Sequence, residues 1–211
     1  MIMNNFHKLA FLIFLPCFLL FSNYNKINFQ YIGIEDGLSQ SSVTEIIQDS
    51  KGYLWFATQD GLNRYDGYEI KQYKQNFEDS LSLTNNYISC MLEDSRGKIW
   101  IGTMNKGISI YDPKLDIFNN YYHQENVSNS INSNRIYTIY EDSNQDIWIG
   151  TDEGLDRFDK KQGEFIHYQY KSSDKDNTED NIIRTIYEDE HGKLWTGTNN
   201  GLHIFNRTQK E

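Results

Sequence analysis

The sequence predicts an all-β protein made of β-propeller blades, each of four antiparallel strands, about four blades in all. Three observations carry that prediction. Its four tryptophans, Trp55, Trp100, Trp148 and Trp195, sit in one recurring phrase: Leu54-Trp55-Phe56-Ala57-Thr58, Ile99-Trp100-Ile101-Gly102-Thr103, Ile147-Trp148-Ile149-Gly150-Thr151 and Leu194-Trp195-Thr196-Gly197-Thr198. They lie 45, 48 and 47 residues apart, a period that belongs to stacked repeats rather than to one irregular core. Each copy also divides into short β-prone runs joined by Asp-Gly or Gly turns, which supply the positive φ that hairpins need.

The elements follow in order. Ile27 to Ile32 alternates apolar and polar residues, the pattern of a half-buried strand, and Glu35-Asp36-Gly37-Leu38-Ser39-Gln40 turns the chain into the first copy. Blade one, about residues 41–75, reads as Val43 to Gln48, the Trp55 strand, Leu62 to Tyr65 and Tyr68 to Tyr73. Blade two, about 86–123, repeats this with Ile88 to Leu92, the Trp100 strand, Ile108 to Tyr111 and Ile117 to Tyr122. Blade three, about 134–170, has Ile136 to Tyr140, the Trp148 strand, Leu155 to Phe158 and Phe165 to Tyr170. Blade four, about 181–206, supplies Ile183 to Tyr187, the Trp195 strand and Leu202 to Phe205, with no fourth strand before the sequence ends.

The Trp strands say how blades are arranged. In Ile99 to Thr103 alternate residues point to opposite faces, yet both faces are apolar, so both must be covered. A radial blade pressed between two neighbours meets that demand, and Ala57, Gly102, Gly150 and Gly197, two residues after each Trp, leave room for the adjoining blade. A β-solenoid is the competing architecture, but its repeats are shorter and lack antiparallel hairpins. Strand 27–32 is a candidate to complete blade four and close a four-bladed ring. The stronger expectation is an incomplete arc whose exposed edges invite self-association.

Residues 1–22 differ from the rest. Leu9 to Phe21 is a charge-free run of the length of the apolar part of an export signal, too short for a bilayer span. Residues 23–211 then form the repeat domain. Cys17 follows Pro16 rather than the small residue a lipidated cysteine wants, and Cys90 in an apolar strand reads as a small buried hydrophobe. The formal charge of −10, spread through the repeats, disfavours nucleic acid and anionic membranes as partners.

The phrase Tyr140-Glu141-Asp142-Ser143-Asn144-Gln145-Asp146-Ile147-Trp148-Ile149-Gly150-Thr151-Asp152-Glu153-Gly154-Leu155 resembles the two-component regulator propeller repeat, as does the opening Glu35-Asp36-Gly37-Leu38-Ser39-Gln40-Ser41-Ser42-Val43. The resemblance covers about residues 31–206 in four copies. It implies an exported sensory module on the periplasmic or extracellular face, membrane-tethered in its parent protein. In that family, seven-bladed propellers precede a β-sandwich, a membrane helix and a histidine kinase, response regulator or diguanylate cyclase, and members with kinases commonly sense carbohydrate breakdown products. No such transmitter is in this sequence, so these residues supply input at most. A carbohydrate or other small extracellular ligand is the implied partner.

Residues that could carry chemistry have simpler explanations. Asp49, Asp94, Asp142 and Asp189 recur at one register before a turn and read as turn-forming side chains rather than catalytic or metal carboxylates. The run from Asp142 to Glu153 imitates part of a calcium loop, but Ile147 stands where that loop needs Gly. His123, His167, His191 and His203 occupy unrelated registers, and no His or Cys pair suggests zinc. No nucleophile–base motif or phosphate loop is present, so no catalytic, cofactor or metal residue is expected and the chain reads as a non-enzyme. Asn126-Val127-Ser128 fits a glycosylation acceptor. Binding would use the loops after the Trp strands, Gln59-Asp60, Asn105-Lys106, Asp152-Glu153 and Asn199-Asn200, although solvated turns are the plainer reading. Tyr121, Tyr122, Tyr168 and Tyr170 read as packing. Gln145 stands where the other copies carry Gly52, Gly97 and Gly192, so Gln145 or Asn144 must take positive φ. A freestanding four-bladed interaction module and a propeller lyase are the alternative functions.

Overall fold

The computed structural model describes residues 28–170 and 178–205. The chain forms two units, residues 1–31 and 32–211. Of the first, only residues 28–31 are described. They carry no regular secondary structure, and Phe29 and Tyr31 are exposed. The expected strand 27–32 is therefore corrected over residues 28–32: alternation across six residues supplies a pattern, but a strand also needs a neighbour to complete its ladder. The export segment at 1–22 lies outside the described residues. Among the described residues, no helix is long and apolar enough to cross a membrane.

The second unit holds fifteen strands among its described residues, in four antiparallel sheets. The first sheet is β1 (Val43–Gln48), β2 (Leu54–Thr58), β3 (Gly61–Tyr65) and β4 (Ile70–Tyr73). The second is β5 (Ile88–Glu93), β6 (Ile99–Thr103), β7 (Ile108–Asp112) and β8 (Ile117–Tyr121). The third is β9 (Ile136–Glu141), β10 (Ile147–Thr151), β11 (Leu155–Asp159) and β12 (Glu164–Tyr168). The fourth has three strands, β13 (Ile183–Glu188), β14 (Leu194–Thr198) and β15 (Gly201–Phe205). Within every sheet the strands pair in chain order, as short hairpin turns dictate. The first strands adjoin in the series β1, β5, β9, β13, and among the described residues the row does not close on itself. This is an incomplete propeller arc.

Why the sheets stack is visible in what covers each Trp. Trp55, Ala57 and Leu62 of the first sheet pack with Ile88, Ile99 and Ile101 of the second. Trp100 and Ile108 meet Ile136, Ile147 and Ile149 of the third in the same way, and Trp148 and Leu155 meet Ile183 and Leu194 of the fourth. Trp55, Trp100 and Trp148 are 1%, 2% and 2% exposed, whereas Trp195, on the last sheet, is only half-buried. A Cβ on Gly102 would lie 2.7 Å from Ile136 Cγ2, and one on Gly150 would lie 2.8 Å from Ile183 Cγ2. Glycine at these positions is what lets the next sheet approach.

Two polar devices recur with the same period. The turn aspartates do hold their turns, Oδ1 of Asp94 accepting from the Arg96 and Lys98 amides at 2.9 Å each. They do more, however, because the second oxygen accepts the indole N–H: Trp55 Nε1 donates to Asp49 at 2.8 Å, Trp100 to Asp94 at 3.0 Å, Trp148 to Asp142 at 2.8 Å and Trp195 to Asp189 at 2.9 Å. Successive sheets are also stapled. The amide and hydroxyl of Ser50 donate to the Glu93 carboxylate (2.8 and 2.7 Å), those of Ser95 to Glu141 (2.6 and 2.9 Å) and those of Ser143 to Glu188 (2.6 and 2.9 Å). In the third copy Gln145 itself takes the positive φ, 65°, and the Lys160 ammonium reaches its carbonyl and the Glu141 carboxylate.

Candidate functional site

The loops after the Trp strands are built by a threonine. Thr58, Thr103, Thr151 and Thr198 each donate a hydroxyl to the carbonyl of Gly61, Gly107, Gly154 or Gly201, at 2.8–3.2 Å. Each also accepts the amide of Asp60, Lys106, Glu153 or Asn200, at 3.0–3.2 Å. Sequence reasoning had no role for these threonines beyond strand propensity, yet their fixed place three residues after each Trp was the available clue.

The loop side chains expected to meet a ligand are largely engaged with the protein itself. Asp60 pairs with Lys74 at 2.6 Å and accepts from Asn86, and Asp152 accepts from Ser133 Oγ at 2.5 Å with Arg135 at 3.4 Å. Asn199 donates to Glu179 and accepts from Arg184, and Asn200 donates to Asp180. These bonds clasp the entries to the second, third and fourth sheets. Among the described residues Gln59 makes only a long contact to the Tyr87 hydroxyl, 3.4 Å, and the Lys106 ammonium lies 5.9 Å over the Phe77 ring. Of the outer aromatics, Tyr121 packs on Phe158 and Phe165, Tyr168 on Trp148 and Phe205, and Tyr170 on His203.

One loop, through Glu153, lines an open cleft of about 430 Å³ together with His123, Asn132, Ser133 and Asn134. The cleft thus lies where the Trp148-strand loop meets the connector into the third sheet. A buried polar residue on the third strand fixes that connector. Asp156, with no exposed surface, accepts the Asn132 amide at 2.7 Å, as Asn63 accepts that of Ser39 and Ser109 that of Thr84. His167 braces Asp156, its Nδ1 2.7 Å from the carboxylate and its Nε2 2.9 Å from the Ser128 carbonyl. Both ring nitrogens face acceptors, which suits the imidazolium, and the Asp156 carboxylate raises the His167 pKa above its ordinary value. On the cleft wall, His123 Nδ1 faces the Ile131 carbonyl at 2.9 Å, so that nitrogen carries the proton.

The remaining candidates are accounted for locally. Burial pushes the Cys90 thiol up to about 12, leaving it protonated at neutral pH. Among the described residues, no group of three or more His, Cys, Asp or Glu is placed to hold a metal ion. His203 pairs with Asp180 at 3.0 Å, and His191 sits exposed beside Glu190. Asn126, Val127 and Ser128 are exposed on the second connector. Chemically, the cleft offers amide, hydroxyl, imidazole and carboxylate groups to a polar ligand.

Comparison with known proteins places these features. The two component regulator propeller family matches residues 37–60, 82–105, 130–153 and 178–200. Over 49 residues, 23% of the chain, the sequence is 57% identical to Histidine kinase P4 of Formosa agariphila, 4% of whose length it spans. The extracellular domain of BT3049, a proposed hybrid two component system of B. thetaiotaomicron, aligns over 85% of this chain and 30% of its own, with a TM-score of 0.65 and 27% identity. A streptogramin B lyase aligns over 82% of this chain and 54% of its own, with a TM-score of 0.59 and 20% identity, a likeness of fold alone. The chain therefore spans less than a third of the signalling relatives it matches.

Proposed function

Because this chain is a two component regulator propeller, with four matched repeats, we propose that it serves as a non-catalytic, extracytoplasmic ligand-sensing segment of a two-component-type signalling protein. The carrying observation is the division of labour within each repeat. Trp, turn Asp, Gly and Thr form one frame in every copy, while the rim residues differ, and at the third sheet they border a cleft lined by polar groups. A small carbohydrate fits that lining, since sugar hydroxyls pair with amides, hydroxyls and carboxylates in a shaped recess. The likeness to an extracellular domain of a hybrid system supports the exported location and an output module, kinase or cyclase, elsewhere in the signalling pathway.

The experiment is calorimetric titration with a panel of mono-, di- and oligosaccharides, repeated on Ser133→Ala and Glu153→Gln. Saturable binding that either substitution weakens at least tenfold, with the sugar recovered unchanged, supports the reading. No binding across the panel sinks the carbohydrate assignment. A chemically altered sugar would transfer the case to the lyase reading.

A further inference from the structure

At the three internal junctions, one face of a sheet carries the Trp and the residues opposite it, and the facing sheet offers its first-strand aliphatics. Leu62, Ile108 and Leu155 are 0%, 0% and 4% exposed under the following sheet, but their counterpart Leu202 is 64% exposed, with Ile204 beside it at 52%. On the facing side Met91, Ile139 and Ile186 are nearly fully covered, but their counterpart Ile46 is 60% exposed. Among the described residues, sheets one and four thus present the two halves of the same junction, each without its complement.

The staple residues depart from the pattern at these same two faces, and in matching ways. Where three copies have Glu93, Glu141 and Glu188 as acceptors, sheet one has Gln48; where three copies have donors Ser50, Ser95 and Ser143, sheet four has Glu190. A sheet bringing Glu onto the fourth sheet would set two carboxylates against each other. Gln48 avoids this: its amide nitrogen can donate to Glu190 and its oxygen can accept the Glu190 backbone amide. Both side chains are exposed, Gln48 reaching the Gly52 carbonyl at 3.2 Å and Glu190 lying 3.6 Å from His191.

We propose that the open face of sheet four docks against the open face of sheet one of a second copy of this chain, in the geometry of the internal junctions, with Gln48 and Glu190 completing the staple. The contact is heterologous, one face of each copy meeting the other face of its partner, so two arcs can close on each other or a longer row can form. It buries Ile46 and Val43 against Leu202, Ile204 and Tyr187 and removes both exposed apolar faces. It stands independently of any ligand.

The test is light scattering coupled to gel filtration on the full chain from about 1 to 100 μM, which brackets the weak end of the affinities that protein interfaces show. The wild type is expected to reach twice the 24.9 kDa chain mass or more as concentration rises. Gln48→Glu should weaken association at least tenfold. Gln48→Glu combined with Glu190→Ser should restore it, because it recreates the Ser–Glu staple of the internal junctions. Far-ultraviolet circular dichroism verifies that each variant stays folded. A wild type that remains a monomer throughout overturns the proposal, and so does an oligomer indifferent to Gln48→Glu or one that the double substitution fails to restore.

Discussion

Trp100 donates its indole N–H to the Asp94 carboxylate at 3.0 Å, and both residues are almost fully buried. The aspartate thereby ties the turn between β5 and β6 to the large side chain that the next sheet covers. Asparagine at position 94 could still accept the two turn amides through its oxygen, but its amide N–H groups would face the indole N–H. Asp94→Asn is expected to destabilise by about 1–3 kcal/mol, the cost of a buried donor left without an acceptor. Urea denaturation followed by circular dichroism measures it, and Asp189→Asn on the more open fourth sheet should cost less.

Glycine at position 102 keeps clear both of its own sheet's first strand and of the next sheet. An added Cβ would lie 2.5 Å from Cys90 Sγ and 2.7 Å from Ile136 Cγ2, whereas at Gly197, among the described residues, it would meet only Thr185 Cγ2. Gly102→Ala should therefore cost about 1–3 kcal/mol through overpacking, and Gly197→Ala less. Equal midpoints in urea for the two variants would contradict the covering of sheet two by sheet three.

Gln145 holds a φ of 65° that glycine holds in the corresponding turns of the other copies. A non-glycine residue there costs about 1–2 kcal/mol, partly offset by the chain entropy that glycine loses on folding. Gln145→Gly should raise the melting temperature by roughly 2–3 °C, read by differential scanning calorimetry. A lower melting temperature would show that the Gln145 side chain holds the turn in some further way.

His167 makes stability depend on pH. Its folded-state pKa is raised by Asp156 above the ordinary value of about 6.5. The stabilisation is therefore fully present below about pH 6.5 and is lost as pH rises through the raised value. The wild type should lose more stability between pH 6 and pH 9 than His167→Gln, in urea midpoints measured at each pH. A wild-type loss no larger than the variant's would mean that the His167–Asp156 pair does not hold the connector.

The sheet frame was legible because its determinants are local and periodic: each Trp phrase, each Asp before a turn and each glycine two places after a Trp repeats at one register. Gln145 was legible for the same reason, as a breach of that register. The Ser95–Glu141 staple was not, since its partners stand 46 residues apart and each alone resembles an ordinary surface residue. Nor was the second use of Asp94, because an indole N–H that points back to its own turn leaves no trace in spacing. Residues 28–32 of the expected strand misled for the opposite reason: alternation marks a face to be covered but does not supply the strand that pairs with it. The cleft was half legible, Asp152-Glu153 having been marked as a rim loop while His123 and Asn132, contributed by the connector, were not.

The central claim is that each sheet seals the Trp of the one before it, and single-tryptophan variants test it most directly. Four proteins, each keeping one Trp with phenylalanine at the other three positions, would be compared by emission wavelength and by quenching with acrylamide. Trp55, Trp100 and Trp148 should emit toward the blue and resist quenching, with Trp195 red-shifted and readily quenched. Emission from Trp100 or Trp148 as solvent-like as that of Trp195, in a variant whose circular dichroism matches the wild type, would contradict the stacked arc.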